Sequence, residues 1–162
     1  MRGAFTFSVH PLQTVPDSGA DLTGAPCAVS GSEPGGERFA ALFAERLGMR
    51  PFSVPEHSRA AYHAAASLAS NFLVTLEESA VDLLRRIGID DARQLLAPLV
   101  LRTAANWAES GDEALTGPIA RGDAATVQRQ VEALRDVAPE LVPLYEALAE
   151  RTRELARRGG GR

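Results

Sequence analysis

The sequence predicts an α+β chain, a short α/β segment followed by a region made only of helices. Three observations carry this. Phe5, Phe7 and Val9 alternate with Thr6, Ser8 and His10, the period of a half-buried strand. Residues 25–55 then read as strand, helix, strand, a piece of an α/β sheet and not a complete one. From Pro55 onward apolar residues recur at helical spacing to the end of the chain.

Pro11 ends or edges the first strand, because proline cannot donate to a ladder. "PLQTVPDSGADLTG" is dense in Pro, Gly, Asp and Ser and reads as a loop. "APCAVSG" is a short apolar strand. In "GERFAALFAERLG", Phe39, Leu42, Phe43 and Leu47 share one helical face, and Gly48 is the stop. "RPFSVP" is a third short strand bounded by prolines.

The helical region opens with a helix expected from about Glu56 to Gly88, roughly 48 Å at 1.5 Å per residue. Between Ala60 and Leu76 only His63 could carry a charge, so burial on nearly every side is expected. Asp91 with Gln94 has the spacing of a capping box for "ARQLLAPLVLRTAANWAES", with a kink expected at Pro98. "GDEALTGPIARGD" is a loop, and Asp123 is placed to cap "AATVQRQVEALRDV". A last helix follows Pro139 with Leu141, Leu144, Tyr145 and Leu148, and "ARRGGGR" reads as a solvated tail. There is no internal repeat.

Composition narrows the chemistry. With 162 residues, 45% of them hydrophobic, the chain can bury one sizeable core. A net charge of -4 gives no electrostatic reason to expect nucleic acid or an anionic membrane as partner. Every one of the 17 cationic residues is arginine, which excludes Schiff-base chemistry on lysine. Cys27 is the single cysteine, so no internal disulfide forms; it reads as a small buried hydrophobe in a reducing compartment. The start lacks the apolar core of a signal peptide, and no apolar run is long enough to span a membrane. A cytoplasmic location is the expectation. Three histidines and one cysteine are too scattered for a metal site of CxxC or HExxH type. "AVSGSEPGG" is not a GxSxG elbow, and there is no GxGxxG in the chain.

Three constellations remain. His63, Ser67, Ser70 and Asn71 fall on one face of the apolar helix, as a satisfied polar patch in a bundle or as the wall of a pocket. His10 ends a strand in "VHPLQT", where a working histidine of an α/β sheet could sit. In "LTGPIARGD", Gly117 and Pro118 fix a turn, and Arg121 stands before a capped helix whose free N–H groups favour anions; a solvated arginine is the alternative.

Taken in order, "HPLQT", "GAPCAVSG", "YHAAASLASNFLVTL" and "LTGPIARGD" resemble the C-terminal part of Rossmann-like proteins that carry the domain of unknown function twenty-five-twenty. The resemblance covers roughly Phe7 to Leu155. It implies an NAD(P)-binding Rossmann domain followed by a helical domain similar to those of 6-phosphogluconate dehydrogenase, ketopantoate reductase and pyrroline-5-carboxylate reductase. The fingerprint-bearing half is missing from this sequence. Residues 1–55 are then expected to be the last part of the Rossmann domain, three short strands and one helix. Residues 56–157 are expected to be a helical bundle for substrate binding and dimerisation, and 158–162 a disordered tail.

In the related β-hydroxyacid dehydrogenases the long helix carries a lysine and an asparagine that face the substrate. Asn71 is placed like that asparagine, and Ser67 stands where the lysine would be. Proton donation is therefore expected from His10 or His63, with Asn71 and Ser67 orienting the reacting group. Gln13 is expected on the cofactor side, and Thr116 with Arg121 around a substrate carboxylate. The function so implied is the C-terminal part of an NAD(P)-dependent oxidoreductase, moving hydride to or from a carbonyl or imine, with a ketopantoate-like 2-oxo acid as first substrate class. This chain alone is not expected to hold NAD(P), and a homodimer through the helices is expected. The alternative is a helical dimerisation module with no catalysis of its own.

Overall fold

The structure, a computed structural model, describes residues 4–15 and 17–159. Strands β1 (Phe7–Pro11), β2 (Pro26–Gly31) and β3 (Arg50–Ser53) form one sheet in that order, with helix α1 (Pro34–Arg46) between the last two. β2 and β3 are parallel, as a crossover through a helix requires, and β1 is antiparallel to β2. This is the partial Rossmann-like arrangement expected, followed by helices only. Those are α2 (Arg59–Ala69), α3 (Asn71–Arg86), α4 (Ala92–Ser110), α5 (Ala124–Val137) and α6 (Val142–Gly159). None is long and apolar enough to cross a membrane, among the described residues.

By compactness the chain divides between Val74 and Thr75, inside α3, so that α2 lies in one unit with the sheet. In the first unit the core is made of small side chains. Cys27, Val29, Ala40, Ala44 and Met49 are buried together, with Val9 and Leu22 packed against them. Small residues let α1 lie close on the sheet, and two glycines complete the fit. A Cβ on Gly31 would stand 2.2 Å from the Glu37 nitrogen, and one on Gly36 2.8 Å from the Thr6 carbonyl oxygen. α1 ends as its sequence requires: Gly48, at φ 77°, donates to the Glu45 carbonyl, and Met49 to that of Ala44.

In the second unit Val81, Val127, Val131, Leu134, Ala138 and Ala149 are buried. Asp123 caps α5, accepting from the Thr126 amide at 3.0 Å and the Thr126 hydroxyl at 2.7 Å. α3 closes like α1, with Gly88 at φ 88° and Ile89 donating to the Leu84 carbonyl.

Four expectations change. The helix expected over 56–88 is three pieces, a 3-10 turn (Glu56–Ser58), α2 and α3, with a break at Ser70 (φ −125°, ψ −72°). The break falls at Ser70–Asn71, two residue types whose side chains compete for backbone hydrogen bonds. α2 has no buried residue, and Leu68, Phe72 and Val74 are exposed, so the all-round burial expected is not reached within this chain. Asp91 makes no side-chain cap; its φ of −80° and ψ of 24° lack the extended geometry that a capping box uses. Finally, α6 runs to Gly159, so Arg158 and Gly159 are helical, while the rest of the expected tail, 160–162, lies outside the described residues.

Candidate functional site in the first unit

Alternation along β1 decides which side chains meet. Phe7 and Val9 face α1, with the Phe7 ring 4.9 Å from that of Phe39. Ser8 and His10 therefore face the other way, and there α2 lays Arg59, Tyr62 and His63 over them. The His10 Nδ1 is 2.8 Å from the Tyr62 hydroxyl. The His10 and His63 ring centroids are 4.8 Å apart, edge to face, and Tyr62 in turn packs at 6.0 Å on Phe52 of β3. The two histidines expected as alternative proton donors thus stand in one cluster. The cleft among them, about 20 Å³, admits a water-sized group and not a substrate. A reacting molecule would meet this cluster at its rim, where His63 is exposed.

His10 and Tyr62 are held in their neutral forms. Burial lowers the His10 pKa, and the charges of His63 and Arg59 lower it further. The Tyr62 pKa is raised, chiefly by burial and then by Cys27. Cys27 itself is raised by burial, against a smaller opposing effect of the His10 backbone N–H. At neutral pH the pair is imidazole and phenol, and buried Cys27 is no nucleophile.

The strand-end reasoning that singled out His10 is corrected by topology. Because β1 is antiparallel, its end at Pro11 pairs with Cys27, near the start of β2 and beside the start of β3. The preference of ligands for carboxyl ends applies to parallel strands. What makes His10 a candidate is its cover by α2. Tyr62 was missed by the sequence reading; its position one residue before His63 was the available signal.

The remaining expected residues are dispersed. Ser67 is half-buried on α2, whereas Asn71 is exposed and opens α3 beyond the break. Gln13 spends its Nε2 on the Asp21 carbonyl, 2.8 Å away, closing the 12–23 loop. In the second unit, Thr116 and Arg121 are exposed in a loop turned by Gly117 (φ 97°) and Gly122 (φ 72°). Arg121 helps to lower the Asp123 pKa, after the larger effect of the Thr126 hydrogen bonds. The cavity beside that cap, 240 Å³, is lined by Asp123, Gln128 and Arg153 among others, and not by Thr116 or Arg121. A cavity of 400 Å³ between α3, α5 and α6 is apolar and carries no acid/base pair.

Around the β2–α1 turn, a Cβ on Gly31 would meet backbone atoms of Gly36 and Glu37, and one on Gly36 would meet Thr6 and Phe5. These glycines let α1 pack closely on the sheet. Among the described residues no group of three or more His, Cys, Asp or Glu could hold a metal.

Comparison with known proteins agrees on the fold. No curated protein matches the chain. Among solved structures, protein TM1727 from Thermotoga maritima superposes with a TM-score of 0.83 at 26% identity, over 94% of this chain and 62% of that one. The "putative NADP oxidoreductase BF3122" from Bacteroides fragilis superposes with a TM-score of 0.79 at 24% identity, over 94% of this chain and 59% of that one. The chain thus spans about three fifths of the length of either. Residues 25–152 match the family described as "Domain of unknown function (DUF2520)", and with that share of its length the chain belongs to this family.

Proposed function

We propose that this chain is the acid/base and substrate-facing part of an NAD(P)-linked oxidoreductase acting on a carbonyl or imine, with a 2-oxo acid of ketopantoate type as the first class to test. The observation that carries the reading is the meeting of His10 with Tyr62, 52 residues apart in sequence, and with His63 in the same cluster. A neutral imidazole at His10 can hydrogen-bond the group whose proton moves with hydride transfer. The name of the Bacteroides fragilis relative supports the choice of cofactor. In this reading other parts of the complete protein hold the cofactor's pyrophosphate. Asn71 and Ser67 orient the reacting group. A carboxylate-holding role for Thr116 and Arg121 is a separate proposal, resting on their loop before the α5 cap.

The test is turnover by the protein with any flanking sequence included, with NADH or NADPH and a panel of 2-oxo acids and imines. His10→Ala is expected to cut kcat by about 10²-fold or more, and Asn71→Ala by about tenfold, with cofactor affinity unchanged. Equal turnover in wild type and His10→Ala would sink the assignment. A second reading, a non-catalytic dimerisation module, is favoured by α4, on which Leu95, Leu99, Leu101 and Trp107 are all exposed. Absence of turnover and of cofactor binding in that protein would favour it.

A further inference from the structure

We infer that Tyr62 fixes the tautomer of His10, so that His10 meets its substrate as a hydrogen-bond donor through Nε2–H. The inference rests on the acid/base reading for its functional consequence, but its structural half stands on geometry alone. Tyr62 Oη and His10 Nδ1 are 2.8 Å apart. Either group could supply the proton of that bond. A phenol is a good donor and a poor acceptor, whereas the bare nitrogen of a neutral imidazole is a strong acceptor. Tyr62 therefore donates to Nδ1, and the proton of the ring lies on Nε2.

Nothing around the pair favours the reverse. Tyr62 is clamped by Phe52 on β3 and by the neighbouring His10 and His63 rings, with centroids at 6.0, 5.5 and 5.1 Å. The charged or titratable groups facing His10 are Arg59, Tyr62 and His63 from α2 and Cys27 from β2. Arg59 and His63 disfavour an imidazolium, and Arg59 offers no acceptor. With Nδ1 committed, Nε2 is the ring nitrogen left for a substrate. A neutral Nε2–H aimed at a carbonyl oxygen would polarise it, which makes His10 a hydrogen-bond donor to the reacting group.

Imidazole nitrogen NMR on the labelled chain separates the two halves of the inference. In the wild type, His10 is expected neutral near pH 7 with Nε2–H dominant by about tenfold or more over Nδ1–H. Tyr62→Phe keeps the ring and removes only the hydroxyl; the ratio is expected to fall at least about threefold, and the His10 titration to move up. Dominant Nδ1–H in the wild type, or an unchanged ratio in Tyr62→Phe, overturns the assignment without touching the oxidoreductase reading. If Tyr62→Phe does not fold, the wild-type spectrum alone decides. For function, His10→Gln places an amide N–H near the Nε2 position and His10→Asn near Nδ1. Both variants are expected to fall below wild type, with His10→Gln retaining about tenfold more turnover than His10→Asn. The opposite order would overturn the donor role.

Discussion

Three glycines within six residues should answer to alanine in opposite ways, because their surroundings differ. A Cβ on Gly31 would lie 2.2 Å from the Glu37 nitrogen, 2.5 Å from the Gly36 carbonyl carbon and 2.9 Å from the Gly36 Cα. All three are backbone atoms, so no side chain can swing aside. Reaching ordinary contact at about 3.5 Å would require the start of α1 to leave β2 by more than an ångström. Overpacking a tight core costs about 1–3 kcal/mol and occasionally more, and a backbone clash belongs at the upper end. Gly31→Ala should therefore cost about 3 kcal/mol. On Gly36 the nearest atoms are the Thr6 carbonyl oxygen at 2.8 Å and the Phe5 ring at 3.2 Å, and the ring can move. A cost of about 1–2 kcal/mol is expected there. Gly35 meets only the far end of Glu33 at 3.8 Å, and it lies in the first turn of α1. Replacing it should stabilise by about 0.5–1 kcal/mol through the lower entropy of the unfolded chain. Urea denaturation orders the three: with a slope of about 1–3 kcal/mol per molar, Gly31→Ala should lower the midpoint by about 1 M or more. A Gly31→Ala midpoint within error of wild type would refute the reading of these glycines as packing devices.

Two further outcomes follow from the charges and the exposed helix. The folded-state pKa of His10 lies below its unfolded value of about 6.5, so the unfolded chain binds more protons in that window. Stability should be full above pH 6.5 and fall as pH drops below it; His10→Gln should flatten this slope, and an unchanged slope would remove His10 as its source. The carboxylates with lowered pKa, Asp21, Asp123, Glu140 and Glu154, act only at lower pH, where their contribution is lost as pH falls. Light scattering should show about twice the 17.2 kDa chain mass, because α4 leaves Leu99 64% and Trp107 67% exposed. Leu99→Glu should shift the population to monomer, and a monomeric wild type at micromolar concentration would contradict the pairing.

The sequence by itself determined the elements of the fold. The period-two run through Phe7 and Val9, the helical face of Phe39 and Phe43, and the stops at Gly48 and Gly88 are local signals, and a strand, a helix and two helix ends form there. Asp123 could be read as a cap for the same reason, since its partner Thr126 is three residues away. Strand direction could not be read so. That β1 runs antiparallel is fixed by pairing with β2 across an irregular loop, and it moved the His10 argument from a strand end to a sheet face. The break at Ser70 also escaped, because alanine, serine and asparagine fit one continuous helical pattern and only packing selects where it interrupts. The site is a tertiary product in the same sense. Sequence marked His10 and His63 separately. Their meeting, and the place of Tyr62 between His10 and the β3 ring of Phe52, exist because α2 folds back over the polar face of the sheet. The neutral state of His10 follows from that cover, since burial and the neighbouring His63 and Arg59 act only once the chain has brought them together.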